Sequence, residues 1–308
     1  MKISTAVSFL IIGASQLVGA PLEVTHVAKE AKWLAHVDVE ALRGSMLGAF
    51  AIARVKEEIK RNNESQVSID VDMALAELKS ITAYGSDIEN PKAGDAVLVV
   101  ETGEKLPVIL DGLLAHESLS KDGEVNFELM EDKPYLTYLF ADELYVSNPE
   151  EGILLASKRF DRIEAAYAVL KGEAENASMG ENRLILNDDY GFFLIASIIG
   201  MNEMDKLPQQ ARILKKTTGA QISIGESGDA VKANLVLGAA SPEVSEQLFR
   251  IVEGMLAIAS FTELKDEALA DMISGMDVQR NALSVSIDAQ YPVLEFTKLL
   301  ENAINEND

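Results

Sequence analysis

His36 and Asp38 stand two residues apart in the stretch KWLAHVDVEA, which also holds the single tryptophan, Trp33. On an extended strand, residues i and i+2 project from the same face. An imidazole and a carboxylate so placed can chelate a metal together or work as an acid–base couple. The pair forms the ligand-binding candidate of this sequence. Zinc or another transition metal would want a further histidine or carboxylate. The other two histidines, His26 and His116, lack metal-ligand spacing to His36, and no HExxH occurs. No metal or cofactor is therefore expected. A structural role competes for the same residues. Asp38 can cap a helix whose first turn is Val39-Glu40-Ala41, leaving His36 as a partly exposed strand residue.

Other candidates dissolve into local chemistry. Asp70-Val71-Asp72 and Asp188-Asp189 lack the twelve-residue ligand spacing of a calcium loop. They read as a helix cap and a turn. GESGD at 225–229 contains Gly-x-Ser-Gly, but between two strand patterns, which is hairpin chemistry and not a nucleophile elbow. Neither a P-loop nor GxGxxG is present. With 50 acidic residues no glycosidase-like carboxylate pair can be singled out. No catalytic residue is assigned.

The elements that must position His36 follow from periodicity. Trp33, Ala35 and Val37 alternate with Leu34, His36 and Asp38, a strand with Trp33 and the valines toward the core. Helical spacing follows over 40–63. A short helix over 71–80 leads to a strand at 81–87, a turn, and a strand at 96–102. A helix over 103–118, one or two strands over 134–148 and a helix within 149–172 complete a first half. Residues 173–182, EAENASMGEN, are polar and aperiodic and read as a linker.

The second half repeats the order. A strand-like run, GFFLIASIIG, precedes a helical stretch and strands at 219–227 and 230–240. SPEVSEQLFRIVEGMLAIASF is a helix: Ser241 suits its cap, Pro242 its first position, and Glu243 and Glu246 its positive end. Phe249, Val252, Met255, Leu256 and Ala259 are predicted for the core. NALSVSIDA alternates as a strand, and a last helix spans 291–305. GDAV occurs at Gly94–Val97 and again at Gly228–Val231 with matching element order around it. We read an internally duplicated α+β fold, mostly antiparallel, with helices on one face. Its segments are a leader at 1–20, a first repeat at 21–178 and a second at 179–308.

The N-terminus carries the location. Lys2 is followed by an uncharged apolar run, and Val18-Gly19-Ala20 places small residues before Pro21. That is a secretory signal pattern, too short for a membrane span. No later stretch is apolar enough to span, so a soluble exported protein is expected. The chain has no cysteine, which removes disulfides and thiol chemistry together. About 288 residues after cleavage can bury a core without them. A net charge of −23 repels phosphate backbones and makes nucleic acid a poor partner.

The stretch AKWLAHVDVEAL, the exported N-terminus and the strand–GD–AV hairpins together resemble a group of uncharacterised exported bacterial proteins of the Planctomycetes–Verrucomicrobia type. The resemblance implies a duplicated α+β fold and export. It brings no catalytic residue. The function expected is that of a non-catalytic envelope or periplasmic protein, a sensor, regulator or scaffold acting through an envelope protein partner. The alternatives are a metal-dependent or carboxylate-based hydrolase using His36 and Asp38, and an acidic cation-binding module.

Overall fold

A computed structural model describes residues 19–62, 71–89, 94–105, 127–179, 184, 191–204, 215–261 and 267–305. The leader up to residue 18, His116, Asp70, Asp188, Asp189 and most of the helices predicted at 103–118 and 203–217 lie outside them.

The first strand, β1 (Trp33–Asp38), runs into α1 (Val39–Arg43) and α2 (Met46–Asn62). Asp38 is extended, and its Oδ1 accepts from the Ala41 N–H at 2.8 Å, the predicted N-cap. The next helix, α3 (Val71–Glu77), ends three residues early because β2 (Leu78–Gly85) starts at Leu78, which pairs with Thr102 of the following strand. Then come β3 (Val97–Thr102), β4 (Phe127–Leu129), β5 (Leu136–Phe140), β6 (Leu144–Glu150), β7 (Ile153–Ser157) and α4 (Phe160–Leu170). Ala141 and Asp142 carry positive φ angles of 49° and 58° as the central residues of the Phe140–Glu143 turn, in the three-residue loop of the β5–β6 hairpin.

The second half gives β8 (Leu194–Ile199), β9 (Thr217–Ser227), β10 (Ala230–Ala239), α5 (Pro242–Phe261), α6 (Glu267–Ser274), β11 (Asp277–Asn281), β12 (Ser284–Pro292) and α7 (Val293–Asn305). Ser241 caps α5, its Oγ accepting from Val244. The polar β11, DVQRN, has no apolar alternation to betray it. It is an edge strand, paired on one side only and exposed except at Val278.

Among the described residues twelve strands form one sheet in the order β11-β12-β10-β9-β8-β1-β2-β3-β7-β6-β5-β4, and every adjacent pair is antiparallel. This is the expected α+β class. β1 and β8 are neighbours at the middle, so the two halves share the sheet and wind outward from it.

One face carries Leu34, Tyr84, Val97, Val99, Leu155, Ile195 and Ile199, packed against Ile163, Ala166 and Val169 of α4 and against Val27, Ala28 and Ala31 of the lead-in. Each fully buried aliphatic side chain there contributes about 1.5–3 kcal/mol. On α5, Leu248 packs with Val285, which the β12–β10–β9–β8–β1 register places on the opposite face, with Trp33. Helices thus lie over both faces, where the sequence reading put them over one: apolar residues at both parities of the central strands leave two faces to cover. Val252 of α5 is buried, whereas Met255, predicted for the core, is 59% exposed.

The predicted linker is docked in its described part. Lys29 N–H donates to the Glu175 carbonyl, Ala177 N–H to the Val27 carbonyl, and Ala28 bridges Asn176. Its polar composition does not leave the segment loose: its backbone, and the Glu175 carboxylate with Lys29 Nζ at 2.9 Å, bond to the lead-in.

Candidate functional site

The alternation in β1 is real, and its assignment to faces is inverted. Leu34, His36 and Asp38 are 1%, 2% and 4% exposed, while Ala35 is exposed and Trp33 and Val37 are half-buried. Period two says which residues share a face and is silent on which face is inside. Trp33 instead lies over Gly85, where a Cβ would meet the indole at 3.0 Å, and its Nε1 donates to the Asp87 carbonyl at 3.1 Å.

His36 stands in a row of buried polar residues that crosses the middle of the sheet. The register sets Thr82 opposite it on β2, and Nδ1 and the Thr82 hydroxyl are 2.9 Å apart. Ser80 on β2, opposite Asp38 on β1 and Glu101 on β3, hydrogen-bonds the Glu101 carboxylate. Toward the second half, Ser197 on β8 donates to the carbonyls of Leu184 and Ala220, Gln221 on β9 donates to Ser223 at 3.0 Å, and Asn234 on β10 donates to Asp288 at 2.8 Å. Buried polar groups of this kind are tolerated because each finds a partner. Among the described residues the exception in the row is His36 Nε2, which is buried and has no hydrogen-bond partner.

What covers His36 and Asp38 is the chain just ahead of the lead-in. Gly19 presses on Asp38 so closely that a Cβ there would fall 3.2 Å from Asp38 Cγ and nearer still to Oδ2, so only glycine fits. The backbone carbonyl of Ala20 faces the His36 ring. Further along, His26 ties the lead-in to the sheet: Nδ1 meets Glu101 Oε1 at 3.1 Å and Nε2 meets Glu23 Oε2 at 3.3 Å.

The two histidines are driven in opposite directions. Burial lowers the pKa of His36, against the pull of Asp38, the Ala20 carbonyl and Glu101. The hydrogen bond to Glu101 raises that of His26 against its partial burial. Glu101 is correspondingly held below its ordinary range, first by His26. His36 is the neutral partner here and His26 the one that readily charges.

Chemically, the candidate pair is split between two jobs. Asp38 is engaged as a helix cap, and the His36–Thr82 bond has the length of a base–nucleophile contact with both residues below a tenth exposed. Among the described residues no group of three or more His, Asp or Glu is placed to hold a metal. Sequence reading missed three participants: Thr82, Glu101 and the Gly19–Ala20 cover. Of these only Thr82, inside the strand predicted at 81–87, left a signal.

No family model matches the chain, and no curated protein matches it. Among solved structures, crystal form IV of TP0453 aligns with 94% of this chain and 99% of its own, at 9% identity and a TM-score of 0.51. The chain is similar in fold to TP0453. Crystal form III of TP0453 aligns over 92% and 98%, with 9% identity and a TM-score of 0.48. At that identity the likeness concerns fold alone. No described helix is long and apolar enough to cross a membrane.

Proposed function

We propose that this is an exported, non-catalytic protein of the cell envelope that binds a partner or small ligand at the His36–Asp38 ground. The observation that carries the reading is the identity of the cover. The residues seated over the buried pair, Gly19 and Ala20, are the last two of the signal pattern read from the sequence. Cleavage ahead of Pro21 removes both. The imidazole Nε2 and the Asp38 carboxylate then reach solvent at the centre of the sheet, beside Ser80, Thr82 and Glu101. Such a surface offers one imidazole, two carboxylates and two hydroxyls, which suits a ligand rich in hydrogen-bond donors.

Expression of the full chain in a host with a secretory system tests the export half: intact mass should show the first 20 residues removed and the product outside the cytoplasm. An unprocessed cytoplasmic product sinks it. For the binding half, a chain starting at Pro21 and the same chain with His36→Ala are used as bait against envelope extract. A partner retained by the first and lost by the second supports the reading. Equal retention by both, or none by either, removes it.

A further inference from the structure

A second polar cluster lies on the same face as His36, around Tyr84 at the far end of β2. Here a small cavity of 20 Å³ opens between the lead-in, the β2–β3 connection and α4, lined by Ala28, Glu30, Tyr84, Asp95 and Arg162. Three buried polar atoms among these lack a hydrogen bond of good geometry, Tyr84 Oη, Asp95 Oδ1 and Arg162 Nε, and the Ala28 backbone lies beside the first. Tyr84 is 5% exposed. Their positions are set by other bonds. Asp95 Oδ2 accepts from Ser86 N at 2.6 Å, Ser86 Oγ at 2.7 Å and Asp87 N at 2.8 Å, so the carboxylate cannot turn. Arg162 Nη1 is held 3.9 Å from Glu30 Oε1.

The three atoms define their occupant. Asp95 Oδ1 only accepts, Arg162 Nε only donates, and the Tyr84 hydroxyl does either. A cation would face the guanidinium, an anion the carboxylate, and an apolar group would leave all three unsatisfied. An O–H group satisfies all of them. The volume admits about one water-sized group, the threshold being roughly 10–15 Å³. We propose that this cavity binds a single water molecule, which accepts from Arg162, donates to Asp95 and pairs with Tyr84, so that it joins β2, the β2–β3 connection and α4.

Tyr84→Phe gives a test whose sign decides. If the phenol pairs with a bound water, losing the hydroxyl lowers the melting temperature by about 2–4 °C. If the phenol is an orphan, its removal relieves a buried unsatisfied group and the melting temperature holds or rises; that result overturns the proposal. A crystal structure resolving waters is the second measurement. One water within about 3.2 Å of Tyr84 Oη, Asp95 Oδ1 and Arg162 Nε is expected. Absence of that density, or a direct Arg162–Asp95 bond closing the gap, overturns it.

Discussion

At the scale of single residues, His36 departs furthest from expectation: it is 2% exposed where its strand position predicts partial exposure. A neutral imidazole sealed in the sheet carries a definite pH signature. Its pKa in the folded chain lies below the ordinary 6.5, chiefly through burial, so the unfolded chain binds the proton more tightly. Stability is therefore complete above about pH 6.5 and falls as pH drops from there toward the lowered folded value. His26 has the reverse sign: its raised value adds stability at low pH that is lost as pH rises through the folded value. Proton NMR of the chain retaining Gly19 and Ala20 should show His26 titrating above His36, and His36→Gln should flatten part of the fall in melting temperature between pH 7 and 5. His36 titrating at or above His26 would contradict the burial argument. Asp38→Ala should cost about 1 kcal/mol in urea denaturation through the lost cap. That cap was legible in the sequence because a side chain and an N–H three residues on depend on nothing else. Thr82 as the partner of His36 was not, since the two are 46 residues apart and meet only through the register.

Among the elements, α2 shows how far a helix end can reach for its partner. The helix follows Gly44-Ser45, and its first two N–H groups, from Met46 and Leu47, both donate to the Glu226 carboxylate at 2.9 Å. A carboxylate at the positive end of a helix also gains from the backbone dipoles. Glu226 belongs to the turn-forming GESGD stretch, where the sequence reading correctly placed the hairpin and gave this side chain no task. Glu226→Gln keeps the shape but loses the charge. It should lower stability by about 0.3–1 kcal/mol at low ionic strength, an effect that shrinks in high salt; a loss unchanged by salt would point to shape instead of charge. The strand β11 makes the complementary point. Edge strands are held by backbone pairing on one side and need no apolar face, so no periodic pattern announces them.

Over the whole molecule, the β1–β8 ladder decides cooperativity. Residues 33–37 pair with 194–198, and β1 also pairs with β2 along its full length. Both halves therefore lean on the same strand, and scanning calorimetry should show one transition for the described fold. Ala35→Pro removes ladder hydrogen bonding at the centre, where proline is not accommodated, and should abolish that transition in both halves together. Two separated transitions, or a variant in which one half still melts normally, would show the halves to be independent. The recurrence of GDAV at 94–97 and 228–231 is a property of the chain; a single sheet is a property of the packing.

The amino-acid sequence by itself determined most strand and helix positions, the Asp38 and Ser241 caps, the Gly228-Asp229 turn and the α+β class. Each depends on groups within a few residues of one another, or on a repeat that any short window contains. Tertiary structure alone decided which face of β1 is buried, that Thr82, Glu101 and Gly19–Ala20 enclose His36 and Asp38, that Glu226 caps α2, and that Tyr84, Asp95 and Arg162 meet. Strand alternation is unchanged when inside and outside are exchanged, and contacts 46 or 179 residues apart arise only once strand order and register are set.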